Sequence, residues 1–165
     1  MHLVMEKLEQ INSEGNSVEK IKPIGIIAGA PGVGKSTMTR GLSSDITVAD
    51  MEPTPYTRSQ DWPDNYIEDI VSKTAKNDLV LITTNPEVIR ELRKRGLNVT
   101  VVCPDESLKE EYRQRYISRG NKPEIVEKII AHAHKPNDQI LADFEGCDVL
   151  FLQSGQYLSD VIDFE

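Results

Sequence analysis

Most of the residues able to do chemistry fall in one short run, Gly29-Ala30-Pro31-Gly32-Val33-Gly34-Lys35-Ser36. A glycine, four residues and then Gly-Lys-Ser is the P-loop pattern, a backbone cradle for the phosphates of a nucleoside triphosphate. Gly29, Gly32 and Gly34 are expected to take positive φ and to bring backbone N–H groups against phosphate oxygens. A helix opening near Lys35 would turn the positive end of its dipole to the same oxygens. Lys35 can reach the β- and γ-phosphates as a point charge, and the Ser36 hydroxyl can ligate Mg²⁺. An apolar run at 24–28 precedes the motif and a helical stretch from Lys35 to about Leu42 follows. Strand, loop, helix is the context that separates this motif from a chance glycine-rich turn.

A P-loop alone does not name a reaction, so the rest of the chain is read for what would complete one. A guanine switch needs Asp-x-x-Gly ahead of Asn-Lys-x-Asp. Here Asn121-Lys122-Pro123-Glu124 and Asp143-Phe144-Glu145-Gly146 stand in the reverse order, and the first ends in Glu. A motor-type ATPase needs an acid at the end of an apolar strand to hold Mg²⁺ and activate water. The run 79–83 ends in Thr83 and Thr84, with hydroxyls where that acid would be. Phosphoryl transfer to a small acceptor asks instead for an orienting acid, an acceptor pocket and closing arginines. Asp50 and Glu52 lie two apart after a strand, which puts both on one side of an extended chain. Asp50 is also a second candidate for Mg²⁺, directly or through water. Trp62, Tyr66 and Thr84 are the candidate acceptor contacts. Arg115 and Arg119 lie four apart on one helix face, where bidentate guanidinium groups suit the oxygens of a phosphoryl group in flight. Arg113 shares that helix with Glu110 and Glu111 and reads also as part of a salt-bridged surface. His132 and His134 are two apart on a helix and point about 200° away from each other, so solvated histidines are expected there rather than a metal pair.

The elements that must position these residues follow from periodicity and punctuation. Strands are expected at 24–28, 46–49 (ending at Asp50), 79–83, 99–103 and 148–152, several of them rich in β-branched residues. The stretch 51–61, with Pro53 and Pro55, has no usable period and reads as a loop. Pro63 then opens a helix whose apolar face is Tyr66, Ile67, Ile70 and Val71. Asn85 and Pro86 start another helix, and Gly96 ends it. Ser107 and Glu110 fit a capping box for the arginine helix, which Gly120 closes. Leu108, Tyr112 and Tyr116 form the stripe that would anchor it. Pro123 opens a helix with Ile125, Val126, Ile129, Ile130 and Ala133 expected on its inner side, and Pro136 breaks it before a second piece running to Phe144. A short helix ends the chain, and another is expected within residues 1–16. Strand and helix alternating five times predicts a three-layer α/β/α fold on a mostly parallel five-stranded sheet, with ligands at the carboxyl ends of its strands.

Bulk properties narrow the partners. At 165 residues, 38% hydrophobic and 28% charged, the chain fits one globular domain. Its net charge of −8 argues against a nucleic-acid surface, while a small anion can still be held by a few local donors. Cys103 and Cys147 lie in or beside strand-like runs and read as reduced thiols. No apolar run approaches the ~20 residues needed to span a bilayer, and the N-terminus lacks a signal-like stretch. A cytoplasmic protein is expected.

Four segments taken together resemble a known group: the P-loop itself, 62–67 (Trp-Pro-Asp-Asn-Tyr-Ile), 104–112 (Pro-Asp-Glu-Ser-Leu-Lys-Glu-Glu-Tyr) and 115–120 (Arg-Tyr-Ile-Ser-Arg-Gly). They are similar to phage-encoded P-loop proteins of the nucleoside monophosphate kinase kind, over about residues 22–160. The resemblance implies a nucleotide kinase-like P-loop NTPase domain at 23–165 after an extension at 1–22. Within it an acceptor-binding segment lies at about 51–76 and a lid-like helix at about 107–120. It implies donor phosphates held by Gly29 to Thr37, an acceptor facing Asp50 and the Trp62–Tyr66 segment, and lid arginines at Arg115 and Arg119. The expected cofactors are ATP and Mg²⁺, the expected partner is a small nucleotide, and a phage origin would make the compartment the host cytoplasm. The catalytic set expected is Lys35, Asp50, Arg115 and Arg119. The leading expectation is ATP-dependent phosphoryl transfer to a nucleoside monophosphate or nucleoside. The alternatives are a kinase of another small molecule or of a nucleic-acid 5′-hydroxyl, and a nucleotide-binding module without catalysis.

Overall fold

A computed structural model describes residues 25–41 and 46–161. The helix expected within 1–16, the extension 1–22 and the first helix's end at Leu42 lie outside the described residues. Strand β1 (Gly25–Gly29) leads through a glycine-bearing loop into α1 (Lys35–Gly41). Then come β2 (Val48–Asp50), α2 (Thr54–Thr57), α3 (Asp64–Thr74), β3 (Leu79–Ile82), α4 (Pro86–Lys94) and β4 (Val99–Pro104). A 3₁₀ turn (Glu106–Leu108), α5 (Lys109–Ser118), α6 (Pro123–Ala133), α7 (Asn137–Asp143), β5 (Asp148–Leu152) and α8 (Leu158–Val161) complete the order.

The five strands form one sheet in the order β2-β3-β1-β4-β5, and every pairing is parallel. Parallel strands buried on both faces read as unbroken apolar runs, and β3 and β4 are buried at every position. The chain leaves β1 toward β2, whereas its neighbour β4 leaves toward β5. The carboxyl ends of β1 and β4 therefore flank the crevice where ligands gather in open α/β sheets. Right-handed crossovers put α1 on the face opposite α3 and α4, an arrangement compatible with the expected three layers.

Three local expectations change. The stretch 51–61 contains the single helical turn α2, with Pro55 in its first turn, too short for any periodicity to reveal. The capping box at Ser107 and Glu110 does not form. Asp105 caps the turn instead, accepting from the backbone N–H of Ser107 at 3.0 Å and its hydroxyl at 2.6 Å. Glu110 is drawn to Arg113, which also pairs with Glu127 at 2.9 Å. Finally, His134 is not solvated: it lies beyond the end of α6, 5% exposed, while His132 is exposed on the helix.

Two apolar clusters hold the domain. The main one wraps the sheet and takes in Tyr66, Ile67 and Ile70 of α3 with Val88, Ile89 and Leu92 of α4. A separate one joins Leu108, Tyr112 and Tyr116 to Val126 and Ile130 of α6. The stripe expected to anchor the arginine helix does so, and its main partner is α6. Cys103 is buried and Cys147 half-buried, and both are free thiols. Among the described residues no helix is long and apolar enough to cross a membrane.

Candidate functional site

The loop between β1 and α1 has the shape its sequence requires. Gly32 and Gly34 adopt φ of 80° and 96°, a region that side-chain-bearing residues avoid. Gly29 is not among the positive-φ glycines, and a different constraint fixes it. A Cβ there would stand 2.9 Å from Val33 Cγ2 and 3.2 Å from the Lys35 side chain. That space is filled by lysine: Lys35 Nζ donates to the carbonyl of Gly29 at 2.6 Å, so the ammonium lies inside the loop.

Four tethers fix the loop to the rest of the molecule. The Ala30 N–H donates to Val102 O of β4 at 3.1 Å, and the Leu158 N–H of α8 donates to Val33 O at 2.8 Å. From α5, the Tyr116 hydroxyl donates to Pro31 O at 2.9 Å, and Arg115 Nη1 reaches Gly32 O at 3.3 Å. The Arg115 guanidinium stacks between the rings of Tyr112 and Tyr157, 4.2 and 4.6 Å from their centroids, with Glu111 at 3.2 Å. Arg119 takes no part in this. It is the exposed C-cap residue of α5, and the expected pair of lid arginines is not brought together on the loop. One turn separates them, but α5 ends between them and only Arg115 faces Gly32.

Behind the loop, the Tyr116 hydroxyl also meets His134 Nε2 at 2.6 Å. If the hydroxyl donates to Pro31, His134 must donate back, which requires the neutral ring protonated on Nε2. Burial, aided by the nearby charges of Lys109 and Arg113, pushes its pKa down to about 4. Desolvation also lowers the pKa of the Lys35 ammonium, opposed first by Asp50 and then by Glu52. Burial pushes the Cys103 thiol up to about 12, with Lys35 pulling the other way. Cys103 is thus an inert wall residue near the ammonium.

The predicted acceptor residues divide among three places. Trp62 and Thr84 line a cleft of about 460 Å³ beside the loop, which contributes Pro31 to its wall. Asp50 and Glu52 do share a side, as extended geometry predicts, but they line a different hollow, with Tyr56 and Lys73 at the edge of the sheet. Tyr66 reaches neither. It is fully buried, donates its hydroxyl to Met51 O at 2.8 Å and accepts from the Thr83 N–H at 3.4 Å. Its work is to tie Met51 to the end of β3, and its ring backs Trp62 with centroids 5.4 Å apart.

The third wall of the cleft was missed by sequence reasoning. It is α6 and the residues after it: Ile125, Lys128, Ile129, His132 and Lys135. Ile125 was expected inside and is 41% exposed because the cleft is open. The available signal was spacing, since Ile125, Lys128 and His132 recur at i, i+3 and i+7. Nothing in the sequence said what that face looked upon.

Ser36 and Thr37 are exposed at the start of α1. Among the described residues no group of three or more His, Cys, Asp or Glu side chains is arranged to hold a metal. A divalent cation here would rest on the Ser36 hydroxyl and phosphate oxygens, with Asp50 nearby. No protein-family model matches the chain, and no curated protein matches it.

Proposed function

We propose that this chain transfers the γ-phosphoryl group of ATP to a small acceptor, a nucleoside monophosphate or nucleoside, as a P-loop kinase. The observation that carries the reading is the shared wall. A loop closed on the Lys35 ammonium and a separate cleft of about 460 Å³ meet at Pro31. Two adjoining sites are what transfer between two bound molecules requires, because holding both reactants together removes most of the entropic barrier.

In this reading the N–H groups around Gly32 and Gly34 and the first turn of α1 cradle the donor phosphates, residues 29–37. Lys35 leaves the Gly29 carbonyl for the β- and γ-oxygens, where its charge stabilises the transferring group. Asp50 and Glu52 oppose the fall in pKa that burial of that ammonium causes. The positive φ of Gly32 and Gly34 supports the fit of a triphosphate with Mg²⁺, since a loop wound in this way makes a concavity for anions. Mg²⁺, held by Ser36 with Asp50 directly or through water, supplies charge neutralisation when bound. Arg115 supports the loop through Gly32 O, and Trp62 and Thr84 contact the acceptor.

A coupled ADP-release assay over nucleoside monophosphates, nucleosides and small sugars tests the proposal. Acceptor-stimulated release with at least one member is expected. Release that is absent with every acceptor, while ATP still binds, would leave a nucleotide-binding module in place of a kinase.

A further inference from the structure

We infer that Tyr116, held from behind by His134, is a positioning residue that aims the N–H groups of the loop at the donor phosphates. The inference rests on the donor half of the kinase reading and adds to it a residue that need not touch the nucleotide. It starts from the peptide group. The loop peptides are trans, and in a planar trans peptide the C=O and the following N–H point in opposite directions. Whatever grips a carbonyl therefore sets the direction of the next residue's N–H.

Three consecutive carbonyls of the loop are gripped. Pro31 O accepts from the Tyr116 hydroxyl at 2.9 Å, Gly32 O from Arg115 Nη1 at 3.3 Å and Val33 O from the Leu158 N–H at 2.8 Å. Arg115 stacks on Tyr157, the neighbour of Leu158, so the three grips belong to one wall. The N–H groups of Gly32, Val33 and Gly34 are thereby turned away from it. That of Val33 closes on Ala30 O at 3.4 Å, and those of Gly32 and Gly34 have no acceptor among the described residues. Backbone donors left open in such a loop form a nest for an anion.

Among the three grips, Tyr116 is the one that a neutral side chain makes from a fixed position. Leu158 acts through its backbone. Arg115 divides its guanidinium between Gly32 O and Glu111, 3.2 Å away, and its contact with the loop is the longest. The Tyr116 ring is buried, and a Cβ on Gly32 would stand 3.3 Å from its Cε1, so ring and loop are in direct contact. Behind the ring, His134 Nε2 meets the same hydroxyl at 2.6 Å. With His134 donating, the hydroxyl keeps its own hydrogen for Pro31 O, and burial keeps solvent from competing for it. The His134 N–H donates to Ile130 O at 3.0 Å, which fixes this support to the end of α6. A buried hydroxyl engaged on both sides is costly to leave half-satisfied. The Pro31 carbonyl is held in one direction as a result, and so is the Gly32 N–H.

The full chain with Mg²⁺ is titrated calorimetrically with ATP, inorganic tripolyphosphate and adenosine, as wild type, Tyr116→Phe, His134→Ala and His134→Gln. Tyr116→Phe keeps the ring and loses the hydroxyl. It should weaken ATP and tripolyphosphate about tenfold, the scale of one charge-assisted hydrogen bond, and leave adenosine as it was. His134→Ala should weaken both phosphates by a smaller factor, and His134→Gln, whose amide can donate in place of Nε2, should recover most of that loss. In acceptor-dependent turnover Tyr116→Phe should raise the KM for ATP and not the KM for the acceptor. A Tyr116→Phe protein that binds ATP and tripolyphosphate like the wild type would overturn the inference. So would one whose adenosine or acceptor affinity falls in equal proportion, since loosened packing alone would do that. Should Tyr116→Phe show no urea transition, the His134 variants decide, and equal phosphate affinities for Ala and Gln overturn the inference. The two readings fail separately. ATP binding without turnover of any acceptor overturns the kinase and leaves Tyr116 its role, whereas turnover by Tyr116→Phe at the wild-type KM for ATP overturns that role alone.

Discussion

The loop around Lys35 and the cleft under Trp62 meet at Pro31, yet they are built in opposite ways. The loop is one contiguous segment, and its shape follows from two glycines at positive φ and a third with no room for a Cβ. The cleft is assembled from the loop, the stretch from Pro53 to Trp62, the end of β3 and α6, segments that span about a hundred residues of sequence. A site made by local backbone geometry is written into adjacent residues. A site made by packing depends on where helices end and which face they turn.

If the two regions are donor and acceptor sites, substitutions should separate them. Lys35→Ala removes the ammonium held inside the loop and is expected to have the largest effect. Acceptor-dependent ADP release should fall by about 10²–10³-fold, with ATP binding weakened in an equilibrium dialysis measurement. An unaltered rate would mean that the loop is not the donor site.

Trp62→Ala is expected to raise the acceptor KM about tenfold, within the range for one lost stacking partner, and to leave the KM for ATP unchanged. Asp50→Asn, in the other hollow, should leave the acceptor KM where it is. Steady-state kinetics of both variants sharpen the comparison. An acceptor KM that responds to Asp50 and not to Trp62 would move the acceptor to the sheet edge.

A smaller effect should distinguish the two arginines. Arg115→Ala loses the contact with Gly32 O and the stack between Tyr112 and Tyr157, and should cost about 1–2 kcal/mol in urea unfolding. Arg119→Ala should be nearly neutral, as an exposed helix end. Equal losses would restore the pair as a unit.

The smallest effect concerns pH. His134 is held neutral with a pKa near 4 against an ordinary 6.5. The unfolded chain takes up a proton that the folded one refuses, so this contribution is complete above pH 6.5 and is lost as pH falls toward 4. His134→Gln should flatten that part of a plot of urea midpoint against pH. An ATP affinity that falls in the wild type only as pH nears 4, where the folded ring itself takes up a proton, would tie the loop to His134 through Tyr116.

Much of the fold was legible because parallel strands buried on both faces leave unbroken apolar runs, as at 79–82 and 99–103. What was not legible was short or contextual. The turn Thr54–Thr57 is too brief to show a period. Ser107 lost the capping role to Asp105, two residues earlier, which accepts from the Ser107 N–H that Glu110 was expected to satisfy. His134 looked like its neighbour His132, and only the end of α6 separates a buried ring from an exposed one. Tyr66 shows the same limit from the other side. An apolar stripe predicts that it faces inward, but not that its hydroxyl ties Met51 to Thr83.

By itself the sequence determined the glycine-bearing loop, the alternation of strand and helix, and the stripe that anchors the arginine helix. Each depends on contacts within a few residues or on a repeated pattern along one element. Only the tertiary structure decided that Asp50 and Trp62 line different hollows, that Arg115 meets the loop without Arg119, and that α6 lends a basic wall to the cleft. Those outcomes depend on how separate elements dock, a consequence of the whole core that no short stretch of residues encodes.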